Sequence, residues 1–351
     1  MSLEMYPVWF DSMGAKSSCT LVSTPDISVL IDPGIAVMHP SFPASDSQKK
    51  LWMKQGKSEI KKTSEKADII IITHYHYDHF FQDEMKIYNG KTVFLKNPNE
   101  YINDSQKKRA ENLFENIYSK FKIKKSNYQN EKQNNKKYND PINELYIAKN
   151  KDFESYAERR YELLEKGRKW YNKRIDKWNS YQIIPEIKHK NIKIIFPEEK
   201  IFRFGKTFLR FSKPLFHGIE FSRVGWVYST TIEHNGKKLM FTSDINGPII
   251  EDYAEMIINE NPDILILDGP MTYMFGYVLN KINLERAIEN AVRIVREIDA
   301  EVIIYDHHLT RERKYKKRTK KVWDTAKKYN KNLITAAEFI GDKPVVERMA
   351  D

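Results

Sequence analysis

Four potential metal ligands lie within six consecutive residues of the chain, in the segment HYHYDH at residues 74–79. Imidazole nitrogens and carboxylate oxygens are ligands that zinc takes in proteins. Residues two apart on an extended chain point to the same side, so His74 and His76 can bind one cation. After the chain turns, Asp78 and His79 face a second position beside the first. This spacing predicts a paired metal site.

A pair of metal ions needs more ligands than this loop supplies, and further candidates follow apolar strands later in the chain. His217 follows one apolar run, and Asp244 follows another at a point where its carboxylate can bridge two ions. His307 and His308 come directly after a third run. Each residue alone is ambiguous, but their order and their positions at strand ends favour one shared centre.

The elements that must position these residues follow a pattern typical of a layered α/β fold. The apolar run ADIIIIT at 67–73 predicts a strand buried on both faces, and the histidine segment follows it directly. Further strands are predicted at 6–10, 20–23, 28–32, 192–196, 207–211, 225–233, 238–242, 263–268 and 301–306. Helices are predicted around 48–66, 153–181, 249–259, 283–298 and 311–328. Strands followed by alternating helices and strands predict two sheets between outer helices.

An insertion is predicted at 101–185, where the composition changes to Lys, Asn, Glu, Arg and Tyr. It divides the chain into 5–100 and 186–351, the two halves of the sandwich. Within it, residues 153–181 place Tyr156, Trp170 and other apolar side chains at helical intervals. Two interpretations stay open. The helix is a flap or dimer arm packed on the body, or its aromatic and basic residues stack bases and contact phosphates.

The charge balance is basic, with 59 Lys and Arg against 48 Asp and Glu and a formal net charge of +11. Such a balance can supply non-specific affinity for RNA or DNA. Much of the surplus, however, lies at about 105–175 and 311–332, and charged helix faces are usually solvated surface. Nucleic acid and a small-molecule substrate therefore both stay open as partners.

The 351 residues, 40% of them apolar, are enough for a globular protein with a large core. Cys19 is the single cysteine, which excludes an intramolecular disulfide and a cysteine-rich zinc site. The sequence has neither an apolar run long enough to span a bilayer nor the opening pattern of a signal peptide. We expect a cytoplasmic protein without membrane partners, either a monomer or a homodimer.

These motifs, taken in order, resemble those of the metallo-β-lactamase superfamily. They are Asp32 after an early strand, the segment 74–79, His217, Asp244 and the late pair His307 and His308. The resemblance implies a four-layer αββα sandwich. The segments 11–18 and 306–309 are also similar to those of a mainly archaeal branch of predicted metal-dependent hydrolases.

The resemblance further implies a ligand set for two metal ions, Zn²⁺ by preference and Mn²⁺ or iron as alternatives. The first ion is held by His74, His76 and His217, the second by Asp78, His79 and a late histidine, and both by Asp244.

His307 is the favoured late ligand because it directly follows Asp306 at the end of a strand, which leaves His308 to contact substrate. Asp32 either orients the histidine segment through hydrogen bonds or is a plain turn residue before Pro33. We therefore expect Asp78, Asp32 and His308 to take part in catalysis.

Two divalent ions that share a water lower its pKa from about 16 toward about 7, which predicts hydrolysis by a metal-bridging hydroxide. Candidate donors to the developing negative charge are Lys16, Ser17, Ser18, Lys213, Tyr273 and Arg311.

The predicted substrate is a phosphodiester of RNA or DNA, or a small ester. The basic balance favours the phosphodiester. Only 26 residues separate His217 from Asp244, however, and the superfamily's tRNA-trailer nucleases carry their RNA-gripping arm between these motifs. The alternatives are a small-molecule lactone or thioester hydrolase and an iron-dependent oxidoreductase similar to sulfur dioxygenases.

Overall fold

Two seven-stranded sheets lie face to face between outer helices in the computed structural model, which describes residues 3–124 and 136–349. This arrangement confirms the predicted four-layer αββα sandwich. Residues 125–135, which belong to the predicted insertion, lie outside the described residues.

The first sheet is built mainly from the beginning of the chain. Its strands are β1 (Glu4–Phe10), β2 (Ser18–Ser23), β3 (Ser28–Ile31), β4 (Ile69–Ile72), β5 (Lys91–Leu95), β6 (Ile187–His189) and β7 (Ile192–Ile195). Their order across the sheet is β1-β2-β3-β4-β5-β7-β6. The pairs β3–β4, β4–β5 and β5–β7 are parallel, so the carboxyl ends of these strands lie at one edge of the sheet.

The second sheet follows in the chain. The strands are β8 (Ile201–Phe204), β9 (Thr207–Phe211), the short pair β10 (Leu215–Phe216) and β11 (Trp226–Val227), then β12 (Thr230–His234), β13 (Lys237–Phe241), β14 (Ile264–Leu267), β15 (Val302–Tyr305) and β16 (Leu333–Ile334). Apart from the short pair, their order is β16-β15-β14-β13-β12-β9-β8. The strands β13 to β16 are parallel, and β12 and β13 form an antiparallel hairpin.

The helices cover the outer faces and form most of the insertion. They are α1 (Asp46–Ser64), α2 (Asp104–Phe121), α3 (Tyr146–Asn150), α4 (Ala157–Ser180), α5 (Glu251–Glu260), α6 (Lys281–Glu297), α7 (Tyr315–Arg318), α8 (Lys320–Lys328), α9 (Ala336–Phe339) and α10 (Val345–Arg348). Ser45, Asn103 and Asn280 cap the first turns of α1, α2 and α6 by accepting a hydrogen bond from a backbone N–H.

The strand β4 holds the histidine segment in place because it is buried on both faces. Ile69 and Ile71 pack between the sheets, whereas Ile70 and Ile72 pack against the outer helical layer. A shift of one residue would exchange these two sets, so the register of β4 is strongly specified. The first residue after β4 is Thr73, and the predicted ligands follow.

The insertion packs on the body through the aromatic side of α4. Tyr171 and Trp178 are buried, and the indole N–H of Trp178 donates to the carbonyl of Ile102 at 2.8 Å. The ring of Trp170 stacks on Trp226 with centroids 5.6 Å apart. After the insertion, β6 and β7 complete the first sheet before the chain enters the second. The predicted division at 100 and 185 stays a prediction.

Two predicted elements are interrupted. The strand predicted at 225–233 forms β11 and β12 instead, which pair with β10 and β9 in different sheets, and between them the backbone N–H of Ser229 donates to the Ser212 hydroxyl at 3.0 Å. The basic helix predicted at 311–328 begins later and breaks at Thr319, whose hydroxyl donates to the Tyr315 carbonyl at 2.7 Å. Within the described part of the chain, every helix is too short or too polar to cross a bilayer.

Candidate metal centre

Three histidines and one aspartate form the first group of the centre. The ligand atoms of His74, His76, His217 and Asp244 all lie within 4.8 Å of one another. Asp244 Oδ2 is 3.4 Å from His74 Nε2 and 3.2 Å from His217 Nε2. His74 Nε2 is 3.0 Å from His76 Nδ1. His74 and His217 are 143 residues apart in the chain (217 − 74), yet their side chains meet in this one group.

A second group lies beside the first and consists of Asp78, His79 and His307. Asp78 Oδ1 is 4.0 Å from His79 Nε2, and Asp78 Oδ2 is 3.9 Å from His307 Nε2. Asp244 reaches this group as well, with Oδ2 3.2 Å from His79 Nε2 and Oδ1 3.6 Å from His307 Nε2. Its carboxylate therefore contacts ligands of both groups, as the predicted bridging role requires.

Both sheets supply side chains to the centre from the carboxyl ends of their strands. The histidine segment follows β4 of the first sheet, and His217 follows β10. Asp244 follows β13, and His307 follows β15, in the second sheet. Parallel strands end at the same edge of a sheet, which explains why residues so far apart in the chain meet here. We call His74, His76, Asp78, His79, His217, Asp244 and His307 together the metal centre.

Asp32 lies behind the histidine segment and is fully buried. It accepts hydrogen bonds from the Thr73 backbone N–H at 2.8 Å and from the Thr73 hydroxyl at 2.7 Å. Its Oδ2 is also 2.8 Å from His79 Nδ1. Burial raises the pKa of Asp32, although His79 opposes this shift. These contacts fix the ring of His79 with Nε2 toward the centre, which is what an orienting residue does.

Asp11 orients the late histidines, and the sequence analysis gave it no role. Its Oδ1 is 3.1 Å from His307 Nδ1, and its Oδ2 accepts a hydrogen bond from the His308 backbone N–H at 2.8 Å. Burial disfavours its charged form, but the Arg311 guanidinium and His307 lower the pKa of Asp11 to about 2. Asp11 directly follows β1, so it lies just after a strand, which is the feature that indicated Asp244 in the sequence.

Asp268 is a second orienting carboxylate that the sequence analysis missed. Its Oδ1 is 2.8 Å from His308 Nδ1, and its Oδ2 accepts a hydrogen bond from the Asn246 backbone N–H at 2.7 Å. Burial raises the pKa of Asp268 well above its usual range, and the nearby charge of Asp244 adds to this shift. Asp268 directly follows β14, so its position at a strand end was again the available signal.

Both late histidines lie at the centre. His307 Nε2 faces Asp78 and Asp244, whereas His308 Nε2 is 3.8 Å from Asp244 Oδ2. His308 has a left-handed backbone conformation with φ of 62°. Each ring is held at Nδ1 by its own carboxylate, Asp11 or Asp268. The choice of His307 as ligand and of His308 as substrate contact stays a prediction.

The donor set fits divalent cations. His79 Nε2 and His217 Nε2 are buried, and neither has an aligned hydrogen-bond partner among the described residues, although Asp244 Oδ2 lies 3.2 Å from each. An unpartnered buried polar atom costs about 1–3 kcal/mol, which a metal–nitrogen bond would offset. Burial lowers the pKa of His76 to about 3, so its ring keeps a free lone pair. Burial opposes protonation of His79, yet Asp244 and Asp32 raise its pKa to about 10. A cation would replace that proton.

The residues predicted to donate to the substrate differ in how close they lie to the metal centre. Arg311 Nη2 lies 3.4 Å from Asp78 Oδ2, and Arg311 Nη1 donates to Tyr273 Oη at 3.2 Å. Burial lowers the pKa of Lys16, as does the neighbouring charge of Arg311. Lys213 instead pairs with Glu144 of the insertion, away from the centre.

The two predicted serines lie behind the ligands. The Ser17 carbonyl oxygen is 3.0 Å from His307 Nδ1, and Ser18 Oγ is 3.5 Å from His79 Nδ1. Both serine side chains are buried. Arg311, Tyr273 and Lys16 are therefore the predicted donors best placed to reach a substrate.

The fold and the metal centre together define a class of protein. The model of the metallo-beta-lactamase superfamily matches residues 14–82, which include Asp32 and the histidine segment. This match confirms the resemblance of the chain to the metallo-β-lactamase superfamily.

The chain belongs to the UPF0282 family. A UPF0282 protein of Korarchaeum cryptofilum is 30% identical over 346 residues, which cover 98% of this chain and 91% of the relative. A UPF0282 protein of Methanocaldococcus jannaschii is 30% identical and covers 97% and 92%. These sources agree with the predicted archaeal branch.

Solved structures of low sequence identity are similar to the chain. A metallo-beta-lactamase fold protein from Bacillus subtilis is 13% identical with a TM-score of 0.42, covering 91% of this chain and 88% of its own. The short form of human tRNase Z is 11% identical with a TM-score of 0.39, covering 87% and 91%.

Proposed function

We propose that the protein is a hydrolase that depends on two metal ions and uses water to cleave an ester or phosphodiester bond. The observation that carries this proposal is the convergence of the seven side chains of the metal centre, in which two buried imidazole nitrogens have no aligned hydrogen-bond partner among the described residues. Such a donor set is expensive to bury unless it binds cations.

In this proposal His74, His76 and His217 would hold one ion, Asp78, His79 and His307 would hold the other, and Asp244 lies between the two groups. Two divalent ions supply Lewis acidity, which lowers the pKa of a water toward about 7 and polarises the bond that is cleaved. Nitrogen and oxygen donors suit Zn²⁺, which we propose as the metal, with Mn²⁺ and iron as alternatives. Iron would favour the oxidoreductase alternative.

The chain's own groups orient the ligands and balance charge. Asp32 and Asp11 hold the Nδ1 atoms of His79 and His307, so the Nε2 atoms of both rings face the centre. Arg311 lies beside Asp78 and can donate to negative charge that develops on the substrate. His308, held by Asp268, is the residue that we propose contacts the substrate.

The test is metal analysis combined with an activity panel. Purified protein should contain near two equivalents of zinc, manganese or iron and should cleave bis-p-nitrophenyl phosphate or p-nitrophenyl esters. The double variant His74→Gln/His76→Gln should stay folded and lose both properties. A folded wild-type protein that takes up no metal would refute the proposal, and a protein that contains iron but hydrolyses none of these substrates would favour the oxidoreductase.

Cleavage of RNA or DNA is a second candidate, favoured by three exposed lysines of α4. Lys166, Lys169 and Lys173 lie along this helix, are exposed, and form no ion pair with the described residues. If they contact phosphates, binding of RNA should weaken as salt increases, and exchange of all three for glutamine should reduce this salt dependence. Equal binding by the triple variant would remove this role.

A further inference from the structure

A cavity of about 480 Å³ lies beside the metal centre. Its walls come from α4, from the loop 217–224 and from the segment 271–283. This volume falls within the range of small-molecule sites, which is about 300–1,000 Å³. The helix α4 of the insertion thus forms one wall of this cavity. This role was not predicted from the sequence.

The inner end of the cavity reaches the metal centre. His217 and Asn246 both line it, and Asn246 Nδ2 is 3.4 Å from His217 Nδ1. Gly218 also lines the cavity at this end, where an added Cβ would lie 2.7 Å from Asn246 Nδ2. A molecule in the cavity therefore has one end beside a metal ligand.

The walls carry apolar side chains that are unusually exposed. Leu163 on α4 is 42% exposed, Ile219 after His217 is 39% exposed, and Val278 is 62% exposed. All three line the cavity, although they come from three separate segments. Exposed apolar side chains that converge on one concave surface are typical of a ligand site.

The buried charges of the cavity wall neutralise one another. Glu220 pairs with Arg160 at 2.9 Å and with Arg286 at 2.8 Å, and Arg286 also pairs with Glu251 at 2.7 Å. Lys166 and Arg223 line the cavity too, but both are exposed. The wall therefore offers a bound molecule apolar contacts, since its buried charges are already paired with one another.

We propose that this cavity binds the apolar acyl part of a small ester or thioester, with the carbonyl at the His217 end. This inference rests on the proposed function. The oxygen of water bonds to the carbonyl carbon, and the C–O or C–S bond breaks. The products are a carboxylate with one released proton and an alcohol or thiol that keeps the other proton of the water.

The first experiment measures binding without turnover. Octanamide is a neutral acyl probe that resists hydrolysis, and acetamide is its short control. Calorimetric titration of the metal-loaded protein should give octanamide at least a tenfold higher affinity than acetamide. Leu163→Glu should weaken octanamide binding at least tenfold. Leu51→Glu is the matched control, since Leu51 is a helical leucine that is 47% exposed and does not line the cavity.

The second experiment measures hydrolysis of p-nitrophenyl acetate, butyrate, hexanoate and octanoate. We expect kcat/KM to rise about fourfold for each methylene that enters the cavity. Leu163→Glu should flatten this rise, and Leu51→Glu should not.

The outcomes separate the two proposals. Ester turnover without any preference for chain length, unchanged by Leu163→Glu, would overturn the cavity assignment and leave the hydrolase function in place. Binding of octanamide that depends on Leu163, without turnover of any ester or phosphodiester, would overturn the hydrolase function. Cleavage of RNA or single-stranded DNA with no ester turnover would overturn the acyl substrate.

Discussion

The carboxylate of Asp244 touches histidines from every segment that contributes them to the centre. Its partners are His74, His79, His217, His307 and His308. Removing its charge therefore affects both predicted metal positions, whereas loss of any single histidine affects mainly one.

We expect Asp244→Asn to reduce the metal content from near two equivalents to one or less. Hydrolysis should fall by more than about 100-fold, because loss of groups that only orient ligands already costs about 10–100-fold. Metal analysis by mass spectrometry and kcat/KM are the measurements. Asp299→Asn, at a side chain that is 87% exposed, is the control and should change neither. Full metal content in Asp244→Asn would contradict the bridging role.

Asp32→Asn tests orientation without removing a ligand. Asp32 has φ of 47°, and asparagine adopts this left-handed conformation readily, so the backbone should be preserved. The change removes the negative charge beside His79 Nδ1, and we expect about 10–100-fold weaker metal binding with an unchanged melting temperature of the metal-free protein. Competition with a chromophoric chelator measures the affinity. Equal affinity would assign Asp32 to the turn alone.

At the scale of single residues, the sequence indicated the candidate ligands more clearly than the carboxylates that contact them. His74 to His79 are close together in the chain, so their spacing alone indicated a site. Asp11 and Asp268 each follow a strand, but nothing in the sequence shows which histidine a distant carboxylate faces. That contact exists only after β1, β14 and β15 have paired within their sheets.

The turn after β3 packs directly under the histidine segment. A Cβ added to Gly34 would lie 2.0 Å from the backbone nitrogen of Phe80 and 2.4 Å from the carbonyl carbon of His79. Backbone atoms cannot yield as the tip of a side chain can. The close approach of these two segments therefore depends on glycine at this position.

We expect Gly34→Ala to destabilise the protein by about 3 kcal/mol and to lower its metal content, because the histidine segment must move. Urea unfolding and metal analysis measure the two effects. Gly236→Ala is the control, since an added Cβ there meets nothing within 4 Å and only the positive φ of 83° adds strain, about 1 kcal/mol. Equal effects of the two changes would contradict the packing argument.

The contact between α4 and the body includes an ionic cluster around Glu220, whose side chain is 6% exposed. Burial opposes its ionisation, but Arg286 and Arg160 lower the pKa of Glu220 to about 2. Because the pKa of Glu220 is lower in the folded protein, its ionised form stabilises the fold at pH values above the ordinary glutamate pKa of about 4.3. This contribution is lost as the pH falls toward 2. The shift corresponds to about 3 kcal/mol.

We expect Glu220→Gln to lose about 3 kcal/mol of stability at pH 7, since two guanidinium groups lose a partner, and to lose little near pH 2. Urea unfolding at both pH values measures the difference. Glu162→Gln is the control, because Glu162 forms an exposed pair with Arg159 on the same helix and should change stability by less than about 1 kcal/mol. A loss that is independent of pH would contradict the ionic origin.

Elements marked by a continuous apolar run or by apolar residues at helical intervals were predictable, and their interruptions were not. Ile69–Ile72 and the amphipathic helix α4 appear within a few residues of the predicted positions. The break at Thr319 depends on a hydroxyl that bonds to Tyr315 and also accepts from the indole N–H of Trp323 at 3.0 Å. Such competition with the helix is decided by the tertiary surroundings, so the sequence alone predicts one continuous helix.

The metal centre connects the two sheets of the molecule, since the first sheet supplies the segment after β4 and the second supplies those after β13 and β15. Bound metal should therefore stabilise the whole sandwich. At a free concentration 100 times the Kd, one metal site contributes about 2.7 kcal/mol, and its removal should lower the melting temperature by roughly 5 °C.

Calorimetry before and after treatment with a chelator tests this, and added Zn²⁺ should restore the original transition. Asp244→Asn is the control and should respond little to the chelator. An unchanged melting temperature of the wild-type protein after metal removal would contradict the stabilising role.

The contacts that complete the centre also join distant parts of the chain. The backbone N–H of Ser12 donates to Asp306 Oδ1 across 294 residues, and that of Ala337 donates to Ser12 Oγ across 325. A ribosome makes Asp11 and the histidine segment long before His307. The growing polypeptide therefore carries an incomplete site until residue 307 has been synthesised, and the supports of His307 assemble only after that point.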